Sequence, residues 1–230
     1  MAEDHAKDTP SGPRRVRFRA ILAAALPFRI LRTLAYRLLL GFGMPLGTRL
    51  GWMALVDARE VTFGRRVIIG RRVRITGVGI LAAGEGVAIG ARTRLIRAGR
   101  VSIGSSTTIG GDNVFQAPSW STPPGDLDIG DEAIVTADHF FDLTESIRIG
   151  GRTTIGGLRS TFWTHGGHRP GSHGAISIGE DCYLGSDVKV APGVALPDRT
   201  VVGLGSVVVK GPEDPGSFIA GSPATVRGQA

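Results

Sequence analysis

Ile178-Gly179-Glu180-Asp181-Cys182-Tyr183, Leu184-Gly185-Ser186-Asp187-Val188-Lys189 and Val190-Ala191-Pro192-Gly193-Val194-Ala195 are consecutive blocks of six with one shared pattern. Leu196-Pro197-Asp198-Arg199-Thr200-Val201 and Val202-Gly203-Leu204-Gly205-Ser206-Val207 continue it, and Val208 opens another block. Each block starts with Ile, Leu or Val, carries Gly, Ala or Pro second, and has a small or β-branched residue fifth. A period of six suits neither a helix nor a single amphipathic strand. It suits a β-helix, in which each block is one flat side of a coil and buries its apolar residue only by stacking. Three sides close a triangular coil. The small second residue leaves room at the corner, where a larger one would crowd the next coil.

The stretch resembles the hexapeptide-repeat acyltransferases. Its ending strengthens the likeness: Val202-Gly203-Leu204-Gly205-Ser206-Val207-Val208-Val209-Lys210, then Phe218-Ile219-Ala220-Gly221-Ser222-Pro223-Ala224-Thr225-Val226-Arg227, is similar to the closing signature of the sugar O-acetyltransferase branch. The resemblance implies an all-β fold, a left-handed parallel β-helix of about seven triangular coils, here preceded by an N-terminal helical segment. It covers 176–227 most firmly, while 61–127 matches only as a repeat.

Upstream a second period appears. Ile69, Ile89, Ile109, Ile129 and Ile149, each followed by Gly, recur every 20 residues, as do Ile75, Leu95, Phe115, Val135 and Ile155. Twenty is three blocks of six plus two corner residues. Each set is therefore expected to stack as one column. The same spacing stacks Arg72 over Arg92 and Arg74 over Arg94, which reads as a solvated basic ridge. Pro118 to Gly125 reads as an irregular corner loop that leaves the count of twenty intact.

The expected organisation is a disordered polar tail at 1–13, a helical segment and connector at 14–60, and the β-helix at 61–230. Pro27 can open a helix. Beyond it Leu31, Leu34, Ala35 and Leu38 form an apolar stripe, with Arg29, Arg32 and Arg37 off it. Such a helix packs on the coil or a neighbouring subunit, or else lies on an anionic membrane surface.

Composition fits this picture. The 230 residues include 35 glycines and only 6% aromatics, as a Gly-cornered, aliphatic-filled coil requires. Net charge is +7, and the basic excess lies in the N-terminal half, which suggests phosphates or anionic lipid as partners rather than nucleic acid. The single cysteine, Cys182, excludes a disulfide framework and reads as core filler. No apolar run reaches the ~20 residues of a membrane span. Arg14 to Phe28 imitates a signal peptide, but Arg29 and Arg32 interrupt it and no small-residue cleavage site follows. The expected location is the cytoplasm, peripheral at the inner membrane face in the second helix reading.

The repeat gains extra residues between Ile155 and Ile178: Phe162-Trp163-Thr164-His165-Gly166-Gly167-His168-Arg169-Pro170-Gly171-Ser172-His173-Gly174. A solenoid has no structural need for this loop, and long loops on rigid scaffolds carry function. The resemblance carries the role of general base to His165, with His168 as the alternative because the spacing is ambiguous by three residues. A sugar hydroxyl attacking a thioester must lose its proton, and an imidazole can take it near neutrality. His173 reads as solvent-exposed. His139 occupies a fifth position where other blocks place something small, which suggests a supporting role or a core histidine bonded to Asp142. Asp138, Asp142 and Trp163 are candidate substrate contacts. Acceptor choice is expected to lie in the loops at 116–125 and 163–174.

The co-substrate that the resemblance implies is acetyl-CoA or another acyl-CoA, lying along the last coils between subunits of a homotrimer. Its contacts fall here on Ser186, Leu204, Val209 and Lys210. The family's basic residue at the place of Thr225 is missing, which leaves Arg227. The acceptor would be a sugar or glycoconjugate, and no metal is expected. Two other readings remain at this point. One is a carbonic-anhydrase-like zinc site on His139, His168 and His173; the other is a non-catalytic scaffold.

Overall fold

A computed structural model describes residues 14–167 and 172–230; the segment 1–13 lies outside them. The chain forms a parallel β-solenoid of about eight turns, preceded by two short helices. The coil is one turn longer than expected, because its first rung already pairs Arg49–Leu50 with Ile68–Ile69, ahead of Val61. At the far end Ser217–Gly221 turns back antiparallel onto Ala224–Gln229 and closes the stack.

Corner glycines are required by contact. A Cβ on Gly90 would lie 2.4 Å from the carbonyl carbon of Gly110 in the next rung, too close for any other residue without moving backbone. The interior is aliphatic, with an aromatic run on one face. Phe115, Phe141 and Phe162 are fully buried and stack with ring centroids 4.5 and 4.4 Å apart. Cys182 is buried in the core, as expected, and burial raises its thiol pKa.

The two 20-residue columns do not run the full length. They hold through Ile69, Ile89 and Ile109, and through Ile75, Leu95 and Phe115. Then Ile109 pairs with Val135, not Ile129, and Phe115 pairs with Phe141, not Val135. Ile129 instead sits under Ile103 on another face. The loop 117–126 adds six residues to one turn. Six is one repeat block, so the apolar phase survives while every later residue falls one face short of the place that a count of twenty gives it. The final turns return to eighteen, Leu184 pairing with Val202 and Val190 with Val208.

Arg74 stacks on Arg94 as expected. The ridge is partly neutralised: Arg92 forms a two-pronged ion pair with Asp112, and Arg72 lies over the Trp52 ring at 5.7 Å.

Helices α1 (Arg14–Ala25) and α2 (Arg29–Leu40) pack on the first rung. The face that α2 turns inward is polar. Arg32, Thr33 and Tyr36 are buried, while Leu31, Leu34 and Leu38 are exposed. The expected stripe therefore points away from the coil. The reason is the open end of the solenoid, whose first rung has no rung above it to use its backbone groups. Arg32 Nε and Nη2 donate to Leu50 O at 3.1 and 2.9 Å, and Thr33 Oγ1 donates to Thr48 O at 3.1 Å. The Tyr36 hydroxyl accepts from Val56 N–H and lies 3.1 Å from Ala54 O and from Ala20 O. Burial pushes the Tyr36 pKa up to about 12. No helix among the described residues is long and apolar enough to cross a membrane.

Candidate active site

Two strands of one face end at the same edge of the prism. Phe140–Asp142 pairs with Thr161–Phe162, so Leu143–Glu145 and the loop that starts at Trp163 leave the coil on neighbouring turns. The loop folds back on itself. His165 and His173 form an antiparallel bridge, Gly166 N–H donates to Ser172 O at 2.7 Å, and Gly174 N–H donates to Thr164 O at 2.9 Å.

Asp142 is the anchor of this edge. Its carboxylate is buried and accepts hydrogen bonds at both oxygens. Oδ1 receives the Thr144 hydroxyl at 2.7 Å and Thr144 N–H at 3.2 Å. Oδ2 receives Thr164 N–H at 2.9 Å, the Thr164 hydroxyl at 2.8 Å, His165 N–H at 3.1 Å and the His165 ring Nδ1–H at 2.7 Å. Burial alone would raise its pKa. Hydrogen bonds from Thr144, His165 and Thr164 outweigh burial and hold it below the ordinary carboxylate value. An ionised Asp142 can only accept at Nδ1, which fixes the proton there and leaves His165 Nε2 with a free lone pair.

The His165 side chain is 28% exposed, against 2% for Asp142. It lies at the base of a cleft of about 710 Å³ lined by Trp120, Trp163, Gly166, Gly167 and His173. The indoles flank the imidazole edge-on, with centroids 5.4 Å away for Trp120 and 5.9 Å for Trp163. His173 is exposed, as expected, but also lines the cleft; its Nδ1 lies 3.9 Å from Glu145.

Trp120 is the cleft residue that the repeat pattern did not single out, although its loop was expected to influence acceptor choice. The six added residues carry it here. Arg97 Nη2 donates to Ser119 O at 3.2 Å and to Ser121 O at 2.9 Å, gripping the backbone on both sides of Trp120. A tryptophan inside a break of a regular repeat was the available signal.

Other candidates lie elsewhere. His139 is buried in the wall of the coil, and its partner is not Asp142. Nδ1 accepts from Ser160 N–H at 3.0 Å and Nε2 faces the Thr136 hydroxyl at 2.9 Å. Burial pushes its pKa down to about 4, against an opposing pull from Asp138, so it is neutral near pH 7. With both nitrogens engaged it offers no lone pair to a metal, and no three-residue metal cluster occurs among the described residues. Asp138 is exposed at the preceding corner, on a different edge from Asp142. His168 lies outside the described residues.

The expected donor contacts divide between two edges. Ser186 and Leu204 are two residues beyond the paired Leu184 and Val202, on the corner that precedes the face ending at Trp163. Val209 follows Val208 on the Trp163 edge, because Phe162 pairs with Val190 and Val190 with Val208. Leu204 and Val209 are exposed, and the Lys210 ammonium lies 3.9 Å from Glu213. Arg227 bonds Ala220 O at 3.3 Å on the closing hairpin.

No family model matches the chain. Over 107 residues it is 39% identical to WcaF of Escherichia coli K12, which carries the name colanic acid biosynthesis acetyltransferase, and equally to WcaF of Shigella flexneri. The matched segment is 44% of this chain; the chain spans 58% of those relatives. Among solved structures, LpxA of Acinetobacter baumannii superposes with a TM-score of 0.61 at 12% identity, over 79% of this chain and 67% of that one. The polysialic-acid-specific acetyltransferase NeuO superposes with a TM-score of 0.52 at 19% identity, over 80% and 82%. These two carry the fold alone. The sequence relatives are named as acetyltransferases, in keeping with the resemblance read from the repeats.

Proposed function

We propose that this protein is an O-acyltransferase that moves an acyl group, acetyl in the simplest case, from acyl-CoA to a hydroxyl of a sugar or glycoconjugate. The supporting observation is the contact between Asp142 Oδ2 and His165 Nδ1 at the base of a cleft with two tryptophan walls. The 39% identity with proteins named for acetyl transfer in colanic acid biosynthesis supports both the reaction and the acceptor class.

In the reaction, His165 Nε2 accepts the proton of the acceptor hydroxyl as its oxygen attacks the thioester carbonyl. The imidazolium that forms is stabilised by ionised Asp142 across Nδ1–H. Collapse of the tetrahedral adduct breaks the carbon–sulfur bond, and the same proton passes from Nε2 to the departing thiolate. The tryptophans offer flat apolar surface to the C–H face of a sugar ring and exclude water from His165.

The C-terminal edges suit an acyl-CoA co-substrate. Exposed Leu204 and Val209 match an apolar pantetheine arm, and Lys210 suits a phosphate. Those residues occupy two edges of one prism. A homotrimer, in which one subunit's Ser186–Leu204 edge faces its neighbour's Trp163–Val209 edge, would unite them.

The test is free thiol release from acetyl-CoA across a panel of sugars and glycolipids, with His165→Ala alongside. Acceptor-dependent release that vanishes in the variant is expected. Release that is unchanged in His165→Ala would overturn the assignment. Light scattering should give three times the 24.1 kDa chain mass; a monomer would contradict the trimer.

A further inference from the structure

The end of the prism farthest from the closing hairpin has an unusual surface. Of the 21 large apolar side chains exposed among the described residues, twelve lie between Phe18 and Met53. On α1 the exposed positions are Phe18, Ile21 and Leu22, opposite buried Ala20, Ala23 and Ala24. On α2 they are Ile30, Leu31, Leu34, Leu38 and Leu39, opposite the buried polar group described above. Spacings of three and four place each set on one helical face. Exposed apolar faces on two helices packed against each other mark an interaction site.

Charge decides what covers it. Between Pro10 and Val56 the sequence holds eight arginines and no aspartate or glutamate. Arg29 and Arg37 interrupt the exposed side of α2, and Arg19 stands beside Phe18 on α1. A second copy meeting this surface with its own would set arginine against arginine in a low-dielectric contact. A bilayer with anionic headgroups satisfies both parts at once, taking the leucines into its acyl boundary and the guanidiniums at its phosphates.

We infer that the two-helix cap docks on an anionic membrane surface, with Leu31, Leu34 and Leu38 inserted and the flanking arginines on lipid phosphates. The helices lie on the surface and do not span. Five rungs separate Leu50 from Ile155, so docking would hold the His165 cleft roughly 24 Å along the prism from the cap, at ~4.8 Å per rung. This surface is independent of the reaction proposed above.

Flotation of the purified full chain with vesicles tests this. Phosphatidylcholine vesicles with and without phosphatidylglycerol are compared, together with Leu34→Glu/Leu38→Glu and Arg29→Gln. Both leucines are exposed, so circular dichroism should be unchanged in the double variant. Partition onto phosphatidylglycerol-containing vesicles is expected, weaker at high salt, falling at least about tenfold in Leu34→Glu/Leu38→Glu and by a smaller factor in Arg29→Gln. Failure to float with anionic vesicles at low salt would overturn the inference, as would equal partition onto neutral ones. A mass in light scattering that drops on Leu34→Glu/Leu38→Glu, without any vesicle binding, would assign the surface to a second copy instead.

Discussion

His139 and His165 belong to neighbouring turns of one coil, yet they are held in opposite proton states. At His139, Nδ1 receives a backbone N–H from Ser160, so the ring proton must sit on Nε2, toward Thr136. At His165, Nδ1 faces the Asp142 carboxylate, so the proton must sit on Nδ1 and Nε2 is the acceptor. One ring is sealed in a wall and the other opens on a cleft. What separates a packing histidine from a candidate base here is the partner at Nδ1, a donor in one case and an acceptor in the other.

The contrast can be broken first at His165. His165→Ala should lower acceptor-dependent thiol release by about 10²- to 10⁴-fold, with a modest fall in thermal stability because buried Asp142 loses one of its hydrogen bonds. Asp142→Asn should cost up to about 10⁴-fold. Its amide can present N–H to Nδ1 and so force the wrong tautomer. A variant that kept wild-type kcat would remove Asp142 from the orienting role.

The other half of the contrast is a matter of stability. The His139 pKa is depressed from 6.5 to about 4 in the fold. The unfolded chain therefore binds the extra proton first as pH falls. The stability this neutral ring contributes is full above about pH 6.5 and is lost as pH drops toward 4, by up to roughly 3 kcal/mol. Urea titrations at pH 7 and pH 4.5 should show the loss, and His139→Gln should flatten it while leaving turnover within about twofold of wild type at pH 7. A large fall in kcat with normal stability would return His139 to the catalytic group.

The smallest effect is expected at Arg97. Arg97→Gln frees the carbonyls on either side of Trp120, so KM for the acceptor should rise about three- to tenfold while kcat changes less. An equal loss in the Trp120→Ala background would show that Arg97 acts elsewhere.

The coil was legible because its period is set by local sterics. Aliphatic positions and corner residues recur however the turns stack. The stacking order beyond Phe115 was not legible, since an insertion of one full block leaves the pattern in phase. That concealment also hid Trp120. His165 was legible from its loop, and Asp142 was already among the candidate contacts. Its pairing with His165 rather than His139 depended on which edge each side chain reaches. Helix α2 misled for a different reason. Apolar periodicity predicts which residues share a face, but the open first rung offered carbonyls, so the polar face was the one recruited.

The most direct measurement is the tautomeric state of the two rings, read from long-range proton–nitrogen correlations on histidine-labelled protein above pH 7.5, with His139→Gln and His165→Ala spectra for assignment. Opposite tautomers are expected, Nε2–H at His139 and Nδ1–H at His165. A His165 ring protonated at Nε2 would have no lone pair facing the cleft, and that result would contradict its role as the base.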